Sequence, residues 1–111
     1  MKTYEVIVTP EAEAGIVSAF EYINDRSPEN AAKWLRGLYR EIDTLETTPD
    51  RCSFARENEY LEGTLRQLLF KSHRIIFRVE QAEKIVRVLY VRHGKQKAVG
   101  ARNDEAVDDR E

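Results

Sequence analysis

The stretch LRQLLFKSHRIIFRVEQAEKIVRVLYVRH, Leu65 to His93, decides how this chain folds. β-branched and aromatic residues crowd it, and no proline interrupts it. Two breaks divide it, a tight joint at Ser72-His73 and a short loop at Gln81-Ala82-Glu83. The spacing predicts strands over Leu65–Lys71, Arg74–Glu80 and Ile85–Arg92. Loops this short make neighbouring strands antiparallel, so the three form a meander. Strict alternation then sorts the side chains. Ile75, Phe77 and Val79 share one face of the middle strand, with Arg74, Ile76 and Arg78 on the other. In the last strand, Val86, Val88, Tyr90 and Arg92 oppose Ile85, Arg87, Leu89, Val91 and His93.

Toward the N-terminus, Tyr4-Glu5-Val6-Ile7-Val8 reads as a further strand, stopped by Thr9-Pro10. Threonine caps a helix and proline suits its first position, where a missing N–H costs nothing. Glu11 and Glu13 favour the positive end of the helix dipole. Ala12, Ile16, Ala19, Phe20 and Ile23 recur at helical spacing as far as Asp25-Arg26. Ser27-Pro28 repeats the cap, and Ala31, Trp34, Leu35, Leu38, Ile42 and Leu45 form the stripe of a second helix, closed by Thr47-Thr48-Pro49. The expected class is α+β, ordered β-α-α-β-β-β, with an antiparallel sheet packed on a helical hairpin and its other face open to solvent. Trp34 reads as core on that stripe. Residues 50–63 read as an irregular connection. Residues 1–97 form one domain and residues 98–111 a polar, acidic tail.

The chain has 111 residues and a net charge of -2, with one cysteine, Cys52. A disulfide framework within the chain is excluded, which fits a reducing compartment. No basic start runs into an apolar stretch, and no segment is long and apolar enough for a membrane span, so a cytoplasmic location is expected. The net charge hides an asymmetry. Residues 1–63 sum to -6, residues 64–97 to +7 and residues 98–111 to -3. The basic meander therefore suits a polyanion or an acidic partner, although strand surfaces also carry basic residues merely for solvation.

Guanidinium groups suit phosphate because their donors form a flat fork. Arg66, Arg74, Arg92 and His93 lie near strand ends and are candidates to converge on one anion. Histidine's ordinary pKa lies near neutrality, so His93, at a strand end, is a candidate general acid or base. His73 reads as an exposed turn residue. Two histidines and one cysteine lack metal-site spacing, and there is no glycine-rich phosphate loop, so neither a metal nor a cofactor is expected. Cys52 has no paired base nearby in sequence and is a poor candidate nucleophile.

Taken in order, Tyr4-x-Val6-x-Val8-Thr9-Pro10-x-Ala12, Tyr22-Ile23, Ser27-Pro28-x-Asn30-Ala31 with Trp34, and Leu45-x-x-x-Pro49 carry a resemblance. So do Leu65–Phe70, His73–Phe77 and Val88–Gly94. Together they resemble RelE/ParE-type toxins of type II toxin–antitoxin systems, the plasmid stabilisation protein type, over residues 3 to 97. The resemblance implies a toxin neutralised by a cognate antitoxin in a hetero-oligomer. RelE-like members cleave mRNA on the ribosome. That role would fall here to Arg66 and Arg74 on the phosphate and His93 for proton transfer. ParE-like members bind DNA gyrase and lack a cleavage site. Arg78, Arg87, Arg92, Lys95 and Lys97 would then serve partner or nucleic-acid binding. The chain lacks the paired lysines ahead of the second strand of the meander, where Glu57, Glu59 and Glu62 stand and would repel mRNA. It also lacks a tyrosine after His93. Both departures favour the gyrase-directed reading over the nuclease. A third reading is a non-toxic interaction module that keeps antitoxin binding.

Overall fold

The computed structural model describes residues 3–61 and 63–100. Strand β1 (Glu5–Val8) leads into helix α1 (Pro10–Arg26) and helix α2 (Pro28–Asp43). Two short 3-10 turns, Thr44–Glu46 and Pro49–Arg51, lead to strand β2 (Ser53–Phe54). A third turn, Arg56–Glu59, precedes strands β3 (Leu65–Phe70), β4 (His73–Glu80) and β5 (Ile85–His93). Most of the acidic tail lies outside the described residues; in the described part, Val99 packs beside Leu65 and Ile76.

The caps read from sequence are in place. The Thr9 hydroxyl accepts from the Ala12 N–H at 3.2 Å and donates to the Val88 carbonyl at 2.8 Å, so one side chain starts α1 and fastens it to β5. Ser27 accepts from the Asn30 N–H at 3.3 Å and starts α2. Gly15 sets how closely α1 approaches the sheet, because a Cβ there would collide with the Val91 carbonyl oxygen.

The sheet order is β1-β5-β4-β3-β2. The expected meander is there, and β2 adds an antiparallel strand on β3. The sheet is mixed rather than wholly antiparallel, because β1 runs parallel to β5 from Glu5↔Ile85 to Val8↔Val88. The helical hairpin takes the chain away from β1 and brings it back, so β1 and its partner need not reverse direction.

The structure also corrects the alternation assigned to β5. The β4–β5 register slips between Ile76 and Phe77: Ile76 pairs with Tyr90, Phe77 with Val88, and Leu89 has no partner on β4. This is a β-bulge, and beyond it every side chain changes face. Val91 therefore joins Val86 and Val88 in the core beneath the helices, and Tyr90 goes to the opposite face.

The main core lies between the helical hairpin and the sheet and includes Ile16, Trp34, Leu38, Ile42, Ile75 and Phe77. Each such side chain contributes about 1.5–3 kcal/mol by leaving water. The other face is less open than the sequence implies. Leu65 and Ile76 pack there with Ala55, flanked by Leu61, Leu89, Tyr90 and Val99. A face carrying that much apolar surface needs cover, and residues 55–61 and the segment after β5 supply it.

Candidate functional site

Arg74 opens onto this second face, opposite Arg92 across the β4–β5 ladder. It is buried, at 4% exposed, and Glu57 beside it is wholly buried. The guanidinium forms a two-pronged pair with the carboxylate, Nη1 to Oε1 at 3.0 Å and Nη2 to Oε2 at 2.7 Å. Gln67 accepts from the same Nη1 at 2.9 Å, and the Val99 N–H donates to Glu57 Oε2 at 2.9 Å. Burial alone would push the Glu57 carboxyl up, but the hydrogen bonds from Arg74 and Val99, with the Arg74 charge, hold it below the ordinary carboxylate value. Glu57 is therefore not a surface charge that repels RNA, as its place in the sequence suggests. Glu59 is exposed, and Glu62 lies outside the described residues.

Arg66 sits on the opposite, helix-facing side of β3, with Leu68 and Phe70. It donates to the Cys52 carbonyl, lies 4.4 Å over the Phe54 ring and faces Asp50 at 3.9 Å. Cys52 itself is buried, and burial pushes its thiol up, away from thiolate chemistry.

The bulge places His93 on the helix-facing side as well. There it is the direct partner of His73, with the rings edge-to-face at 5.3 Å. His73 is half-buried rather than exposed, because it begins β4 and packs against Trp34 at 5.2 Å. Burial, then the neighbouring His93, pushes the His73 imidazole below its ordinary value. The His93 Nδ1 accepts from the Lys95 N–H at 3.1 Å, so in the neutral ring the proton sits on Nε2. The two imidazoles border a cleft of about 650 Å³ between α1 and the ends of β4 and β5. Trp34, Tyr22, Lys71 and Arg92 also line it. Trp34 thus serves both the core and a cavity wall.

The four candidates for one anion therefore do not all meet. Arg74 and Arg92 are direct partners on the second face, where Glu57 holds Arg74, while His93 borders the cleft on the helix-facing side and Arg66 lies toward β2. The other basic candidates are spread too. Arg78 and Arg87 face each other across the ladder and share Glu80, at 3.0 and 2.9 Å. Hydrogen bonds from Arg87 and then Arg78 bring the Glu80 carboxyl down to about 2. Arg92 donates to the Lys97 carbonyl at 3.0 Å, and Lys95 is exposed in the turn after β5. Among the described residues no group of three or more His, Cys, Asp or Glu could hold a metal ion. No described helix is long and apolar enough to cross a membrane.

Sequence reading missed Glu57 as a structural anion, because its partner lies 17 residues away across a face set by register.

A family model, the ParE toxin of the type II toxin–antitoxin system parDE, matches residues 6–98. The chain belongs to the ParE toxin family. Solved structures share the fold of this ParE-family toxin at low identity. A chain of the chromosomal ParDE system from P. aeruginosa aligns with a TM-score of 0.68 and 19% identity, covering 82% of this chain and 96% of the other. A chain of a RelBE toxin–antitoxin complex from Mycobacterium tuberculosis gives 0.56 and 20%, covering 82% and 98%. A chain of the archaeal RelE–RelB complex from Pyrococcus horikoshii OT3 gives 0.54 and 19%, covering 83% and 96%. No curated protein sequence matches the chain. Family membership makes this a toxin-type protein of a type II toxin–antitoxin system, and the α+β architecture expected from the sequence is the family's own.

Proposed function

We propose that this ParE-family toxin acts by docking on a cellular target, DNA gyrase, without cutting RNA, and that a cognate antitoxin neutralises it by binding. The observation that carries the reading is the Arg74–Glu57 pair. A nuclease needs Arg74 free to meet a phosphate, and here both prongs of its fork already grip a buried carboxylate. Arg66, on the other side of the sheet, is no substitute. The solved relatives include toxins in complexes with RelB-type partners, which supports an antitoxin partner for this chain.

The test sets two assays side by side. Purified toxin, folded by circular dichroism, should leave relaxed plasmid relaxed when added to gyrase and ATP. It should leave mRNA intact on translating ribosomes. Full-rate supercoiling in its presence, together with cleaved mRNA that His93→Ala spares, would sink the proposal.

A further inference from the structure

Two short segments, residues 55–61 and residues 94–100, cover the second face of the sheet, and they grip each other as well as the strands. The Glu57 carboxylate accepts from the Val99 N–H on one side and from the Arg74 guanidinium on the other. Arg56 donates to the Gln96 carbonyl at 3.3 Å. Gly100 takes a positive φ of 94° and lies so near Tyr60 that a Cβ there would come within 2.7 Å of the Tyr60 Cβ. Two further ties reach the strands. The Asn58 side chain exchanges hydrogen bonds with the Leu65 backbone at 2.7 and 3.0 Å, and Arg92 donates to the Lys97 carbonyl at 3.0 Å.

Little apolar surface backs these ties. From the two segments, Ala55, Leu61 and Val99 join the cluster around Leu65 and Ile76. The main core lies on the other side of the sheet and takes no side chain from either segment. The β3–β4 and β4–β5 ladders pair without them. A region with few buried contacts and mostly polar ties opens at a lower free energy than the core. Arg74 and Arg92 push the same way. Like charges directly opposite each other on a ladder are unfavourable, and Glu57 offsets this only while the segments are closed.

We propose that residues 55–61 and 94–100 are one clasp, fastened through Glu57, which opens as a unit while the helical hairpin and the sheet stay folded. Opening bares Leu65, Ile76 and Tyr90 beside Arg74 and Arg92, an apolar and cationic surface that the closed toxin withholds. The position of Glu57 argues against two independent flaps. Lifting the second segment strips Val99 from the carboxylate, and lifting the first takes the carboxylate from Val99 and Arg74 together. The clasp does not depend on which target the toxin has.

Native-state hydrogen exchange of the whole protein, read by NMR, tests this. The Leu61 amide donates to the Glu57 carbonyl in the first segment, and the Val99 amide bridges from the second. Both should show one opening equilibrium, roughly a hundredfold or more above that of the Leu38 amide in the middle of α2. Asn58→Ala cuts a tie to β3 alone, since the Asn58 side chain bonds only to Leu65 among the described residues, and its exposed position should let the variant fold. It should speed exchange at Val99 by the same factor as at Leu61, roughly tenfold. Gln96→Ala frees the second segment from the His93 N–H and should loosen Leu61 in return. Labelling of Arg74 by phenylglyoxal, followed by mass spectrometry, should quicken in both variants. A Val99 amide unmoved by Asn58→Ala, a Leu61 amide unmoved by Gln96→Ala, clasp amides no faster than Leu38, or unchanged Arg74 labelling would each overturn the proposal.

Discussion

His73 illustrates how one side chain's position is set by distant structure. As a turn residue it would titrate like a free imidazole, but the bulge puts His93 opposite it and α2 lays Trp34 on it. A histidine whose folded value is depressed stabilises the fold fully above the unfolded value of about 6.5. That contribution is lost as pH falls from there toward the folded value, and below it nothing more changes. Urea unfolding followed by Trp34 fluorescence should therefore show a falling midpoint between pH 7.5 and pH 5. His73→Phe, which keeps a ring on Trp34 but cannot titrate, should flatten that slope. An unchanged slope in the variant would place the acid sensitivity elsewhere. The sequence made His93 legible as a strand-end histidine. It did not show the pairing, because alternation counted through Leu89 puts His93 on the wrong face.

Elements were the most legible level, where local chemistry decides. Thr9-Pro10 and Ser27-Pro28 start helices because the caps act within three residues. The three strands of the meander begin and end within a residue of their expected limits. What escaped was the lid on the second face, because residues 55–61 carry no periodic signal and earn their place only by covering Leu65 and Ile76. The lid is tied to β4 by the Arg74–Glu57 pair and to the segment after β5 by Val99. Arg56 adds a tie to the Gln96 carbonyl at 3.3 Å. Glu57→Leu leaves a buried guanidinium without its carboxylate and should cost about 3–5 kcal/mol in urea unfolding. The double variant Glu57→Leu/Arg74→Met removes both charges and should recover much of that loss. A double variant no more stable than Glu57→Leu would mean that the cost is one of packing, not of the stranded charge.

On the scale of the whole molecule, folding answers part of the charge surplus of residues 64–97. Glu57 and Asp50, both from the acidic first part of the chain, face Arg74 and Arg66, and Glu80 serves two arginines at once. A sum along the sequence cannot foresee this, since it records surplus but not who stands opposite. Sheet order was hidden for a related reason: the neighbour of β1 is 80 residues away. Contacts that close so long a loop tend to form late in folding. Val6→Ala in β1 should therefore speed unfolding with little change in the refolding rate, whereas Ile75→Val in the meander should slow refolding. Stopped-flow chevrons separate the two, and a slowed refolding arm for Val6→Ala would place β1 in the nucleus.

The pairing of β1 with β5 also has a meaning during synthesis. The strand made first must wait for the strand made last, and at 5–20 residues per second that wait is about 4–16 s. A product cut short before Ile85 can form helices and part of the meander, but it has no partner for its own first strand. Interrupted translation would thus yield a fragment without the finished toxin's surface, and only near-complete synthesis would release a harmful molecule.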